Sequence, residues 1–114
     1  MHELSIAMSI VEIAQEERER LGGRVSTVHL KLGALAGVVK DALLFSYDVA
    51  CQDTPLEGSR LLIEEMPLIV FCPQCETQRV LSPPHALCCP ECGTLTPDVR
   101  EGRELEVVAM EIVE

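Results

Sequence analysis

Two Cys-x-x-Cys pairs limit what this chain can fold into more than any other feature of its sequence. Cys72 and Cys75 form the first pair, Cys89 and Cys92 form the second, and thirteen residues separate the pairs. Each pair can direct two thiolates at one ion, so together they supply the four soft ligands of a closed tetrahedral zinc site. Gly93 follows the second pair, where a residue that tolerates positive φ helps the turn to close. The spacing therefore predicts a four-cysteine zinc site.

Length and cysteine usage indicate where such a site would operate. The 114 residues suffice for one domain, or for one domain that carries a small insert. The segment between Pro67 and Pro97 is too small to fold without its metal. The start, Met-His-Glu, lacks the basic residues of a signal peptide, and no stretch has the apolar length of a membrane span. We therefore predict a cytoplasmic protein, in which paired cysteines hold metal rather than disulfides.

The charge of the chain argues against nucleic acid as a partner. The formal net charge is −10, and the aromatic residues are two Phe and one Tyr, with no Trp. Such a chain lacks both the basic patch and the stacking platform of a nucleic-acid binder. We predict neither a nucleic-acid nor a membrane partner.

Hydrophobic periodicity predicts two helices and three strands. The first helix ends at Gly22-Gly23, and its apolar stripe contains Leu4, Ala7, Met8, Val11 and Ala14. Residues 25–32 alternate as a strand, with Val28, Leu30 and Leu32 on one face and Thr27, His29 and Lys31 on the other. A second helix runs from residue 38 to about residue 51 and carries Leu43, Leu44 and Tyr47. Further strands are expected at 60–66 and at 104–113, the last with Leu105, Val107 and Ala109 on one face.

This element order predicts an α+β fold in which two helices pack on a three-stranded mixed sheet. An inserted zinc-ribbon-like module with rubredoxin-like knuckles interrupts the fold before the last strand. The expected boundaries are residues 1–66 plus 101–114 for the α+β domain and residues 67–100 for the zinc-binding domain.

The amino terminus offers a second metal site. Met1 should be retained because His2 is too large for its removal, and this keeps the register of the terminus. The free α-amine, the deprotonated backbone nitrogen of His2 and the His2 imidazole can chelate one ion, and Glu3 could complete the plane through its backbone nitrogen or its carboxylate. Planar nitrogen donors suit Ni(II) or Cu(II). The alternative is an ordinary histidine before a helix, with Glu3 interacting favourably with the helix dipole.

Four other residues allow more than one interpretation. Asp41 lies in the first turn of the second helix, where it favours the helix dipole, but it is also a candidate extra nickel ligand. The two-residue spacing to Cys92 favours Cys89 over its neighbour Cys88 as a ligand, and we interpret Cys88 as a free or buried thiol. Cys51 is expected to be a small core residue. His85 is expected to be a solvated loop residue rather than a zinc ligand.

Over its whole length the chain resembles the HypA/HybF family of hydrogenase maturation proteins. The resemblance rests on the Met-His-Glu-Leu-Ser start, the Leu-Gly-Ala-Leu turn at 32–35, both Cys-x-x-Cys pairs and the Gly-Arg-Glu-Leu-Glu segment at 102–106. It implies a nickel metallochaperone, not an enzyme, that inserts Ni(II) into the large-subunit precursor of [NiFe]-hydrogenase together with the GTPase HypB. Some members also serve urease.

The resemblance also implies a role for each metal-site residue. Met1, His2 and Glu3 would carry nickel, which is transported. Structural zinc would be held by Cys72, Cys75, Cys89 and Cys92.

Three alternative functions are open to a chain with these motifs. The Cys-Pro-x-Cys turns also resemble those of rubredoxin, an iron electron-transfer protein, although Phe71 is the only aromatic residue near them in the sequence. A zinc-ribbon interaction module is the second alternative, and the charge disfavours nucleic acid as its partner. A metal-dependent hydrolase would need an open zinc position, and four cysteines leave none. No Gly-rich nucleotide-binding loop is present in the sequence, so any nucleotide dependence must come from a partner.

Overall fold

The computed structural model describes residues 2–81 and 87–113. Within them lie two helices, α1 (Glu3–Leu21) and α2 (Lys40–Cys51). The strands are β1 (Arg24–Gly33), β2 (Arg60–Met66), β3 (Leu68–Cys72), β4 (Thr77–Leu81), β5 (Asp98–Glu101) and β6 (Leu105–Val113). They form two three-stranded sheets with the orders β2-β1-β6 and β4-β3-β5. The predicted α+β class is confirmed.

The described chain divides into two compact units. The first unit comprises residues 2–30, 37–64 and 106–113, and the second comprises residues 31–36, 65–81 and 87–105. The predicted division into a nickel-binding and a zinc-binding domain stays a prediction. No helix in the part of the chain that the structure describes is long and apolar enough to cross a bilayer.

Helix α1 buries a different stripe from the one that its sequence predicted. The buried side chains are Ala7, Ile10, Val11 and Ala14, spaced i, i+3, i+4 and i+7. Leu4 and Met8 were expected in the core, but they are 45% and 59% exposed, so this part of the prediction is wrong. Both side chains lie at the flank of the buried stripe, where periodicity alone does not separate core from surface. The helix ends as predicted, because the Gly22 N–H donates to the Arg18 carbonyl at 2.7 Å with φ at +77°.

Strand β1 confirms the predicted inner face, although Thr27, which was expected on the polar face, is also buried, and β6 departs from the predicted alternation. In β1, Val28, Leu30 and Leu32 are all buried. In β6, Leu105 and Val107 are half-buried, as predicted. The alternation then shifts by one residue, so that the next half-buried side chains are Met110 and Ile112. The expectation that Ala109 shares the inner face is therefore wrong, because Ala109 is exposed. A one-residue shift of this kind is typical of a β-bulge.

Helix α2 is anchored in the first unit by its buried face and by a short polar network. Leu43, Tyr47 and Cys51 are buried at intervals of four residues, while Leu44 is only half-buried. The Tyr47 hydroxyl lies 2.7 Å from Ser59 Oγ, and the Ser59 hydroxyl donates to the Leu56 carbonyl at 2.6 Å. The prediction that Cys51 belongs to the core is confirmed.

The second unit contains a sheet that the sequence did not predict. Strand β3 pairs antiparallel with both β4 and β5. Leu68, Val70 and Leu81 form its small core, against which the partly buried Leu87 and Val99 pack. The three strands have only four or five residues each, which is too short for a clear period of two.

A close backbone approach closes this unit at the Leu-Gly-Ala-Leu turn. The Gly33 N–H donates to the Glu104 carbonyl at 2.7 Å, and the Leu35 N–H donates to the Gly102 carbonyl at 2.6 Å. A Cβ at Gly33 would collide with the Gly102 carbonyl group and the Glu104 nitrogen. Only glycine therefore fits this position without a backbone shift.

Candidate metal centres

The first Cys-x-x-Cys pair lies in the turn between β3 and β4. Cys72 is the last residue of β3 and pairs across the hairpin with Thr77, and Cys75 lies in the four-residue turn between them. Glu76 closes this turn with φ at +53°. The Cys75 N–H points at Cys72 Sγ at 3.3 Å. The hairpin thus directs both sulfurs to one side and provides an N–H donor for one of them.

The second pair lies in a turn that closes on itself in the same way. The Cys89 N–H donates to the Thr94 carbonyl at 2.8 Å, and the Gly93 N–H donates to the Cys89 carbonyl at 2.9 Å. Gly93 has φ at +76°, which confirms the conformation predicted for it. Cys92 is exposed and its Sγ lies 3.2 Å from the Thr94 hydroxyl.

The structure brings the four predicted sulfur atoms together. All four Sγ atoms lie within 4.8 Å of one another, with 3.5 Å between Cys72 and Cys92 and 4.0 Å between Cys75 and Cys89. Zinc–sulfur bonds of about 2.3 Å in a tetrahedron separate the sulfurs by about 3.8 Å. The cluster therefore fits a tetrahedral ion of this size without rearrangement of the turns.

The thiols of the cluster are unequal in acidity. Burial opposes ionisation of Cys89, but the Cys92 and Glu91 N–H groups and the Arg79 guanidinium outweigh it and lower its pKa to about 6. Arg79 also favours the thiolate of Cys75, yet hydrogen bonds among the neighbouring thiols raise the pKa of Cys75 to about 11. Sulfurs this close cannot all carry negative charge unless a cation lies among them. A divalent ion would supply that charge.

A closed set of four sulfurs can hold an ion but cannot present it to a substrate. Cys88 is half-buried beside the cluster, but it is outside the group of four whose sulfurs converge. His85 lies outside the described residues, so its predicted solvated role stays a prediction. The arrangement is that of a structural site, with no open coordination position for catalysis.

At the amino terminus, His2 and Glu3 begin helix α1. His2 is its N-cap residue and is exposed, and within the described chain its side chain makes no capping hydrogen bond. The Glu3 carboxylate accepts a hydrogen bond from the Val39 N–H at 3.3 Å, where Val39 is the N-cap of α2. This hydrogen bond is the main cause that lowers the pKa of Glu3. The terminus is thus linked to the start of α2, while Met1 lies outside the described residues.

Two features of these sites were not predicted from the sequence. The Glu3–Val39 contact joins residues 36 positions apart, and no local sequence pattern predicts it. Arg79 lies against the cysteine cluster. Its position on β4 can be derived only when the pairing of β3 with β4 is known. Asp41 lies in the first turn of α2, as predicted, and its alternative role as a nickel ligand stays a prediction.

Comparison of the sequence with known families gives one consistent result. A family model described as "Hydrogenase/urease nickel incorporation, metallochaperone, hypA" matches residues 1–112. The hydrogenase maturation factor HypA of Chloroflexus aurantiacus is 51% identical over 112 residues, which cover 97% of this chain and 98% of that protein. The hydrogenase maturation factor HybF of Klebsiella pneumoniae is 41% identical with the same coverage. The resemblance identified in the sequence is confirmed.

Comparison of the folds agrees with this result. The solution structure of the Ni metallochaperone HypA from Helicobacter pylori superimposes with a TM-score of 0.68 at 16% identity, covering 99% of this chain and 98% of that one. A second solution structure, of a HypA protein, gives a TM-score of 0.69 at 17% identity. At such low identity these likenesses concern the fold alone.

Proposed function

Since the chain belongs to the HypA family of nickel-incorporation metallochaperones, we propose that it carries Ni(II) at its amino terminus and delivers it to a [NiFe]-hydrogenase precursor. The observation that carries this proposal is the family match over residues 1–112, which includes both the terminus and the cysteine module. The protein acts as a carrier and performs no catalytic reaction of its own.

Nickel binds to nitrogen donors of Met1, His2 and Glu3. The exposed imidazole of His2 supports this assignment, because within the described residues no capping hydrogen bond occupies its side chain. Glu3 has two possible donors, and its carboxylate is already engaged by the Val39 N–H. The backbone nitrogen of Glu3 is the better donor, since first-turn N–H groups of a helix have no intrahelical acceptor. Planar nitrogen donors of this kind suit Ni(II).

Zinc is the resident ion of the four-cysteine cluster. The convergent sulfurs of Cys72, Cys75, Cys89 and Cys92 support a tetrahedral ion, and soft thiolates in a closed set suit zinc. The role of this ion is to hold the second unit in shape. If the cluster held iron instead, as in the rubredoxin alternative, the purified protein would be red rather than colourless.

Delivery takes place within the hydrogenase maturation machinery, with which family members work. We assign the large-subunit precursor as the acceptor and the GTPase HypB as the partner that supplies the nucleotide dependence. The formal charge of −10 favours encounter with a partner that presents a basic surface. Transfer proceeds by ligand exchange, for which an exposed chain terminus is well suited.

Nickel titration of substituted proteins tests the ligand assignment. His2→Ala should abolish tight nickel binding while the circular dichroism spectrum stays unchanged. His29→Ala is the matched control, because His29 pairs with Glu111 at 2.9 Å on the sheet of the same unit and is not assigned to nickel. Equal loss of nickel affinity in both variants, or in neither, would contradict the assignment.

A pair of substitutions at Glu3 separates its two possible donors. Glu3→Gln removes the carboxylate charge and should retain nickel binding. Glu3→Pro removes the backbone N–H and should lose nickel binding, yet it is compatible with the fold because proline is favoured at the first position of a helix. His2 already has the extended backbone that proline requires of the preceding residue, with φ at −89° and ψ at 122°. Loss of nickel binding in both variants would assign nickel to the carboxylate, because Glu3→Pro removes that group as well.

Delivery is tested in cells that lack the endogenous gene. Wild-type protein should restore nickel to the hydrogenase large subunit, and His2→Ala protein should not. Restoration by both proteins would separate the function in maturation from nickel binding at the terminus.

A further inference from the structure

Strand β6 forms an unpaired edge of the sheet in the first unit. The strand order is β2-β1-β6, so one side of β6 pairs with β1, and within the described residues no strand pairs with its other side. The strand has nine residues, more than the typical five or six, and contains neither lysine nor proline. Native proteins commonly protect an exposed edge by short length, lysine or proline. The outer edge of β6 therefore presents a row of backbone N–H and C=O groups.

An apolar groove lies beside this edge. Ile13, Glu17 and Leu21 are spaced by four residues along one line of α1 and border the groove on one side. The side chains that border it on the other side all belong to β6, namely Val107, Val108, Ala109, Met110 and Ile112. The cavity has a volume of about 330 Å³. Its one charged lining residue, Glu17, is held by Arg20 at 2.6 Å, so the surface offered to a ligand is apolar.

The fold of the first unit does not cover this apolar surface. Ile13 and Leu21 lie outside the buried stripe of α1 and are 46% and 59% exposed. The one-residue shift in β6 leaves both Val108 and Ala109 exposed beside the groove. An extended segment that pairs its backbone with β6 would place every second side chain against Ile13 and Leu21.

The charge of β6 indicates what such a segment carries on its other face. Glu106 and Glu111 are exposed and alternate with the groove-lining Val107 and Ile112, so they lie on the face away from α1. Opposite charges on neighbouring strands stabilise their pairing, and like charges destabilise it. Lysine or arginine therefore suits this face of the added segment. A second copy of this chain fits poorly, because its formal net charge is −10 and its own β6 carries the same two glutamates.

We propose that the outer edge of β6 and the groove beside α1 form a strand-addition site for an extended segment of a partner protein, in which apolar and basic residues alternate. Backbone hydrogen bonds to β6 supply much of the affinity, and the alternating side chains supply the specificity. The site consists of residues of the first unit alone and contains no metal ligand. It is therefore independent of the proposed nickel and zinc sites.

Synthetic peptides test the proposal on the full-length, zinc-loaded protein by fluorescence anisotropy. The probe has the length of β6, nine residues, with valine and lysine in alternation. Wild-type protein should bind this probe in preference to two controls, one with valine and glutamate in alternation and one with the valines and lysines in separate blocks. Equal binding of the alternating and block peptides would overturn the proposal in favour of general attraction to an acidic protein.

Methylated probes test the pairing of the backbone. N-methyl groups are placed on alternate amides of the valine–lysine peptide, in each of the two possible frames. Only one frame directs its amides at β6, so one methylated peptide should lose binding and the other should retain it. Binding of both methylated peptides would overturn strand addition.

Three variants test the position of the site. Ile13→Ser should weaken binding of the valine–lysine peptide about tenfold, because apolar contact in the groove is lost. Glu106→Lys should weaken it about fivefold and improve binding of the valine–glutamate peptide; Glu111 is left unchanged because it already contacts His29. Phe45→Ser is the matched control, since Phe45 is 71% exposed in the same unit but does not line the groove. Equal losses in Ile13→Ser and Phe45→Ser would overturn the assignment.

Sedimentation equilibrium without peptide distinguishes a partner segment from a second copy. Wild-type protein and Ile13→Ser should have the same molecular mass, because the proposed site is not occupied by another copy of the chain. A wild-type dimer that Ile13→Ser dissociates would assign the groove to a second copy and overturn the proposal. Wild-type protein that does not bind the valine–lysine peptide at millimolar concentration would overturn it as well.

Discussion

Replacing Ser59 by alanine should destabilise the first unit more than replacing its partner Tyr47 by phenylalanine. The Ser59 hydroxyl accepts the hydrogen bond of Tyr47 and donates to the Leu56 carbonyl, and all three residues are buried. Tyr47→Phe removes one hydrogen bond and leaves the Ser59–Leu56 bond intact, which costs about 1 kcal/mol. Ser59→Ala leaves the buried Tyr47 hydroxyl without its Ser59 acceptor, which costs about 1–3 kcal/mol, whereas the Leu56 carbonyl still accepts the backbone N–H of residue 59 at 3.0 Å.

The double variant measures the coupling between Tyr47 and Ser59. Once the Ser59 hydroxyl is absent, Tyr47→Phe removes a buried donor that has already lost its Ser59 acceptor. The double variant should therefore be about as stable as Ser59→Ala alone, with a coupling energy of about 1 kcal/mol. For a chain of this length each kcal/mol lowers Tm by about 4 °C.

The assay benefits from the composition of the chain, which has one tyrosine and no tryptophan. Tyrosine fluorescence therefore reports the unfolding around Tyr47 alone in wild type and Ser59→Ala, and circular dichroism follows the phenylalanine variants. Destabilisations that simply add in the double variant would refute the network. A Tyr47→Phe variant that is less stable than Ser59→Ala would refute the assigned direction of the two hydrogen bonds.

Three further perturbations have defined outcomes. Cys72→Ala should lose zinc and unfold the second unit, visible as lost zinc stoichiometry and as rapid proteolysis of residues 65–105, while tyrosine fluorescence stays native. Gly33→Ala should destabilise the second unit by about 1–3 kcal/mol in urea denaturation, because its Cβ would collide with Gly102. Glu111→Gln should reduce the loss of folding free energy on acidification. The hydrogen bond from His29 lowers the pKa of Glu111, so the stabilisation by this pair is present above about pH 4.5 and is lost as pH falls further.

Each of these three predictions has its own control or contrary outcome. A zinc-free Cys72→Ala protein that resists protease as wild type does would contradict the structural role of the ion. A Gly33→Ala protein that unfolds at the same urea concentration as wild type would argue against the close approach. Glu106→Gln removes a carboxylate from the same strand without removing the His29 contact. An equal effect of both glutamine variants on stability at acid pH would indicate a general effect of charge instead of the His29–Glu111 pair.

Much of the first unit could be predicted from sequence because its elements are long. Ten residues of β1 and nineteen of α1 show their periodicity clearly, and glycines mark the end of α1. The errors at Leu4, Met8 and Ala109 have a common physical cause. Periodicity indicates which apolar residues share one side of a helix or strand. Which of them become buried depends on the element that packs against that side.

The second unit was predictable in its chemistry and not in its architecture. The cysteine spacing alone indicated which four sulfurs converge, because a two-residue turn fixes the geometry of each pair. The β4-β3-β5 sheet, the Gly33–Gly102 approach and the position of Arg79 depend on strand pairings that no local pattern encodes.

Nickel binding at the amino terminus is tested by titrating Ni(II) into zinc-loaded protein with its native terminus, in parallel with protein that carries one extra glycine before Met1. The native protein should bind nickel tightly and one-to-one, with a square-planar absorption band. The extended protein should lose this binding, because the α-amine is displaced from the chelate. Equal nickel affinity and equal spectra for the two proteins would contradict the claim that the amino terminus carries the metal.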